Sequence, residues 1–171
     1  MDRYVEKNRV VVTGIGIITP IGIGVDAFWE SAIHGKSGIS MISRFNVESY
    51  PTKIAGEIKS FHPEKYMPGD LADALCRYSQ LGLAAAQMAV RDANLELNSL
   101  NKNKVGISIG VGAETLLYYD EKTAIENNKY TLRIKPPVEN RNIANVISDY
   151  FHFSGQNLVV ATACSSGNQA I

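Results

Sequence analysis

Short β-branched runs alternate along this chain with longer stretches whose apolar residues recur at helical spacing. Val10-Val11-Val12 opens the series and predicts a strand over Arg9–Ile18, of the kind buried on both faces of a sheet. A turn-dense segment follows from Gly14 to Gly24. Asp26 stands as an N-cap for a helix through Ala27–Ile33, and Gly35 is its natural stop. Gly38 to Lys59 carries short apolar clusters between turn residues, with a strand around Lys53–Ile58. Pro63 and Pro68-Gly69 punctuate the next loop. The longest helical pattern, Leu71–Asn94, places Leu75, Tyr78, Leu81, Leu83, Ala85, Met88 and Ala89 on one broad face. Cys76 falls inside it and reads as a packing residue. A strand over Lys104–Gly112, a helix over Thr115–Asn127, a break at Pro136-Pro137 and a helix over Asn140–Phe151 come next. Gly155 then turns the chain into a last run, Leu158-Val159-Val160-Ala161, bounded by polar residues. Strands and helices alternate without an internal repeat, which predicts an α/β sheet, largely parallel.

The totals narrow the partners. Of 171 residues, 45% are hydrophobic and 20% charged, an ordinary globular composition that can supply a sizeable core. Seventeen basic and seventeen acidic residues cancel, so neither nucleic acid nor a membrane surface is suggested as a partner. Two cysteines, Cys76 and Cys164, make no disulfide framework and fit a reduced, cytoplasmic setting. The first apolar run is broken by Gly14, Gly16, Pro20, Gly22 and Gly24, so it reads neither as a secretory signal nor as a membrane span.

Candidate chemistry sits at the end of the chain. In Thr162-Ala163-Cys164-Ser165-Ser166-Gly167, small side chains flank a cysteine just past an apolar strand. Small neighbours let the backbone turn sharply and leave the sulfur open. A helix starting at or just after Cys164 would favour a thiolate there and aim a backbone N–H at the oxygen of an attacked thioester. Reactive groups of parallel sheets tend to lie past the carboxyl ends of the strands, where Cys164 falls. A lone cysteine is more often a small buried hydrophobe. The rival motif, Gly14-Ile15-Gly16-Ile17-Ile18-Thr19, follows a strand as a dinucleotide fingerprint would. It has Thr19-Pro20 where a third small residue should open a helix, and no acidic residue ends a second strand at the expected distance.

What decides between these readings is a resemblance. Thr162 to Gly167 resembles the active-site signature of the β-ketoacyl-[acyl-carrier-protein] synthases, and Val10 to Gly16 with Thr19-Pro20-Ile21-Gly22 looks like the opening of the same family. The two motifs stand at opposite ends and in the right order. The resemblance implies a thiolase-like fold, a duplicated α/β/α/β/α arrangement. Residues 1–171 would form the amino-terminal domain, with an incomplete mixed or parallel sheet and helices on both faces. It implies that Cys164 takes an acyl group from a carrier protein's phosphopantetheine, and that its backbone N–H is one arm of an oxyanion hole. The complete enzyme would then condense that group with a malonyl carrier unit and release carbon dioxide. No metal or cofactor is implied, the glycine-rich opening being a structural turn. Members are homodimers that pair the strand before the nucleophile, here Asn157–Ala161.

Other positions qualify this expectation. Ala113, after Gly110-Val111-Gly112, matches a position that gates the acyl pocket, and its small side chain implies a roomier pocket. Pro136 to Asn145 lacks the family's aromatics and carries Glu139 and Arg141, which points towards a specialised or polyketide-type substrate. His34, His62 and His152 lie in no matching motif and read as structural or exposed. The family's catalytic histidines and a nearby lysine belong to the carboxyl-terminal half. With Ile171 seven residues past Cys164, the expectation is a truncated product, a fragment or one piece of a split enzyme. The other class of function is a non-catalytic partner of the chain-length-factor kind, in which the nucleophile is replaced.

Overall fold

The computed structural model describes residues 9–112 and 142–171. The helix expected over Thr115–Asn127, Ala113 and the segment Pro136–Arg141 lie outside the described residues.

The first expectation is corrected. Residues 9–17 form no strand, and Val10, Val11 and Val12 are exposed. An extended run becomes a strand only when a neighbouring backbone takes its N–H and C=O groups. This run instead leads onto a helix. Gly14 and Gly16 lie flush on the backbone at Ala89, Ala93 and Ala85, where a Cβ would collide. The Ile15 N–H donates to Asp92 Oδ2 at 2.8 Å. β1 (Ile18–Thr19) and β2 (Gly22–Ile23) then form a tight hairpin. Thr19 Oγ1 accepts from the N–H groups of Ile21 and Gly22 across its Pro20-Ile21 turn. The residues that spoil the dinucleotide fingerprint are thus a hairpin.

Helix α1 (Val25–Ile33) starts two residues earlier than expected. Its N-cap is Gly24, at φ 88°, and Asp26 lies in the first turn without capping. Gly24 donates to Ile17 C=O at 2.8 Å while its own carbonyl accepts from Phe28, so the backbone sets the helix start. Strands β3 (Ile39–Met41) and β4 (Ile54–Gly56) pair antiparallel, with β4 inside the segment expected to be extended.

The long helical pattern is two helices, α2 (Gly69–Ala74) and α3 (Arg77–Asp92). Leu75 and Cys76 between them are extended, so Cys76 is the N-cap residue of α3 rather than a residue inside a helix. It is half-buried, with Sγ 3.3 Å from Ser79 Oγ. The break is sealed from a distance: Gln80 Nε2 donates to Ala72 C=O at 2.7 Å and to Leu75 C=O at 3.2 Å.

The core gathers where α3 meets α4 (Ile143–Phe151). Leu83 and Ala84 of α3 pack with Ile143, Val146, Ile147 and Phe151 of α4, closed off by Phe61, Met67 and Phe153. Asn142 starts α4 by accepting the Asn145 N–H at 2.9 Å, an N-cap contact that contributes about 1 kcal/mol. His152 ends it in the left-handed region, φ 58°, with Phe153 N–H returning to Ser148 C=O. α4 packs against β5 (Ile107–Gly110) and β6 (Asn157–Val160), which run parallel from Ile107 opposite Asn157 to Gly110 opposite Val160. Ile107 and Ile109 face the core; Gly110, on the alternate face, meets the start of α5 (Ser166–Ala170).

Candidate active site

Both parallel strands end at the same level, and the Val111 N–H adds one more bond to Val160 C=O at 2.9 Å. Past that edge the chain makes a single 3-10 turn, Ala163–Ser165, before α5. Cys164 is the middle residue of the turn and is exposed. The helix begins just after it, at Ser166. Ala163 sits at φ 53°, a left-handed conformation that a residue with a Cβ adopts at a cost of about 1–3 kcal/mol. Such a kink persists only where its surroundings hold it.

Here they do. Ser166, at 2% exposure, places Oγ 2.8 Å from Thr162 N, 2.7 Å from Val111 O and 2.8 Å from Ala163 O. Gly110 has its missing side chain aimed at the backbone of Ser166 and Gly167, so β5 and α5 touch main chain to main chain. On the solvent side Ser165 Oγ contacts Thr162 O and Thr162 Oγ1, both at 3.0 Å, and Thr162 Oγ1 lies 3.0 Å from Gln169 Oε1. The turn is braced inside and out, and the sulfur stays open. Sequence reasoning named Cys164 and missed Ser166. Its signal was modest: one of two serines following the cysteine, in a run of small residues.

The remaining candidates are not brought to this turn. His34 caps α1, with Nδ1 2.8 Å from Glu30 O, and is exposed. His62 lies 3.2 Å from Glu64 Oε1 before a 3-10 turn. His152 terminates α4 and is exposed. Among the described residues no group of three or more His, Cys, Asp or Glu side chains is arranged to hold a metal ion. Nor is any helix among them long and apolar enough to cross a membrane.

The architecture is that of the thiolase-like ketosynthases. A solved ishigamide ketosynthase/chain length factor superposes with TM-score 0.68 at 27% identity, over 89% of this chain and 39% of its own. A β-ketoacyl synthase from Burkholderia phymatum superposes with TM-score 0.68 at 18% identity, over 93% of this chain and 40% of its own. Residues 7–171 match the family described as β-ketoacyl synthase, N-terminal domain, and the chain belongs to that family. Among curated relatives, a 3-oxoacyl-[acyl-carrier-protein] synthase 2 of Synechocystis is 34% identical over 97% of this chain. The chloroplastic 3-oxoacyl-[acyl-carrier-protein] synthase I of Arabidopsis thaliana is 33% identical over 95% of it. The chain spans 41% of the length of the first and 36% of the second.

Proposed function

We propose that this chain is the amino-terminal domain of a 3-oxoacyl-[acyl-carrier-protein] synthase and that Cys164 is its acyl acceptor. The observation that carries the reading is an exposed thiol on a left-handed turn, past the carboxyl ends of two parallel strands. A sulfur in that place can be reached by a thioester on a phosphopantetheine arm. Cys164 gives up its proton, and its sulfur attacks the thioester carbonyl carbon. The bond from that carbon to the phosphopantetheine sulfur breaks, and the carrier leaves as the free thiol. Condensation then joins the acyl carbon to the carbon that malonyl decarboxylation exposes, expelling carbon dioxide and returning Cys164. That second step needs donors for the developing enolate, and His34, His62 and His152 stand at the end of α1, before a 3-10 turn and at the end of α4. It therefore draws on the part of the relatives' length that this chain does not span.

An acyl-carrier protein is the partner that this chemistry requires, in a cytoplasmic setting. One solved neighbour is a type II polyketide ketosynthase in complex with its acyl-carrier protein and bound to a hexaketide. A second copy of the chain is the other partner: β6 pairs only with β5 among the described residues, and Leu158 is exposed on it. The retained thiol favours a catalytic subunit over a chain-length-factor-like one.

Intact mass after incubation of the full-length protein with an acyl-carrier thioester tests the assignment. The parent is expected to gain the mass of the acyl group and Cys164→Ala to gain none. Equal labelling of the two proteins would refute it.

A further inference from the structure

We propose that Ser166 is a positioning residue for acyl transfer: its buried hydroxyl holds the Ala163–Cys164 peptide so that the Cys164 N–H faces the substrate oxygen. The inference rests on Cys164 being the acyl acceptor and adds how the turn is aimed.

A hydroxyl has one proton to give and two lone pairs. Ser166 Oγ accepts from the Thr162 N–H at 2.8 Å. Its single proton then serves Val111 C=O at 2.7 Å or Ala163 C=O at 2.8 Å. The second of these carbonyls matters for chemistry. It belongs to the peptide unit whose nitrogen is that of Cys164, and in a planar trans peptide the C=O and N–H point in opposite directions. Drawing the Ala163 carbonyl inward to Ser166 therefore turns the Cys164 N–H outward, to the side on which an attacked carbonyl would arrive. The Ala163 carbonyl, at a residue of φ 53°, takes this contact together with the Ser166 backbone N–H. Ser166 itself cannot drift. It is 2% exposed, and Gly110 packs flush against its carbonyl.

A serine that merely satisfied the Val111 carbonyl would be structural, and the two roles separate by reaction type. Acyl transfer builds negative charge on a carbonyl oxygen that the Cys164 N–H can stabilise. Alkylation by iodoacetamide displaces iodide at a saturated carbon and builds none. In the full-length protein, Ser166→Ala should lower the saturating rate of Cys164 acylation by hexanoyl-acyl-carrier protein on the order of tenfold or more. KM and the rate of iodoacetamide alkylation should stay near the parent values. Ser166→Thr, which keeps the hydroxyl, should restore acylation to near the parent rate. Parent-like acylation in Ser166→Ala would overturn the proposal. So would acylation and alkylation falling together, or a folded Ser166→Thr as slow as Ser166→Ala. Should Ser166→Ala fail to fold, the threonine variant decides: parent-like acylation supports the proposal and a loss on the order of tenfold overturns it. A parent that is never acylated at Cys164 fails the acyl-acceptor reading, and this inference with it. Failure of the inference alone is recognised by an acylated parent that Ser166→Ala matches.

Discussion

Two valine-bearing runs near opposite ends of the chain have similar composition and different fates. Leu158-Val159-Val160 pairs in register with Ser108-Ile109-Gly110 and delivers the chain to Cys164. Val10-Val11-Val12 pairs with nothing among the described residues and stands 94%, 63% and 80% exposed. β-branched residues make an extended backbone favourable, but a ladder exists only where a second backbone accepts it. The late run has that partner because α4 packs against both β5 and β6. The early run is directed elsewhere by Gly14 and Gly16, which seat it on α3, and by Asp92, which takes the Ile15 N–H. Side-chain type explains neither outcome. The neighbours do.

Glycines hold both regions, and replacing them gives the largest effect. At Gly110 a side chain would strike the backbone of Ser166 and Gly167; at Gly16 it would strike that of Ala85 and Ala89. Main chain cannot step aside as a side-chain tip can. Gly110→Val and Gly16→Val should each cost about 3 kcal/mol or more in denaturant unfolding. A cost below about 1 kcal/mol at Gly16 would mean that the early run is not seated on α3 and would dissolve half of the comparison. Of the two, only Gly110→Val should also disturb the cysteine turn, read as a changed alkylation rate at Cys164.

What could be read from the sequence follows the same division. The run before Cys164 and the turn at Cys164 are local patterns, and each appears where those patterns put it. The break at Leu75–Cys76 was hidden because apolar spacing continues across it from Leu71 through Leu75 to Tyr78. No glycine or proline marks it, and the carbonyls it frees are satisfied by Gln80. Asp26 looked like a cap because of its residue type, yet Gly24 takes a backbone shape that an acidic residue would resist. Ser166 went unread because a buried serine and a surface serine are the same letter. Its partners, Val111 and Thr162, lie on segments that only the parallel pairing brings together.

A third paired run offers a way to convert one case into the other. β4 is held to β3, and the residue after it, Glu57, closes the far side by accepting from Ser43 N–H at 3.0 Å and Arg44 N–H at 3.2 Å. Burial pushes the Glu57 carboxyl up. The Ser43 N–H and hydroxyl, the Arg44 N–H and Lys59 together outweigh it and leave the group below its ordinary 4.5. A carboxylate with a lowered folded value stabilises the fold above the unfolded value, and that contribution fades as pH falls through the folded one. The protection factors of the Ser43 and Arg44 amides, each taken against the intrinsic exchange rate at the same pH, should therefore be high above pH 4.5 and fall below it. Glu57→Gln should flatten that dependence. An acid transition of equal size in Glu57→Gln would assign it to another carboxyl.

The smallest effect belongs to the run without a ladder, and it is the sharpest test of the contrast. Val12 buries little, so exchanging one of its methyl groups for a hydroxyl removes almost no apolar area from the folded state. Val12→Thr should change unfolding free energy by no more than about 0.5 kcal/mol. Val159→Thr puts the same hydroxyl on a half-buried strand position opposite Ile109 and should cost about 1 kcal/mol or more. Because the chemical change is identical, the unfolded chain contributes nearly equally to both measurements, and their difference reports surroundings alone. Equal costs would show that Val12 is covered in the full-length protein by a surface not among the described residues. The unpaired run would then be a strand awaiting its neighbour, and the two ends of the chain would obey one rule.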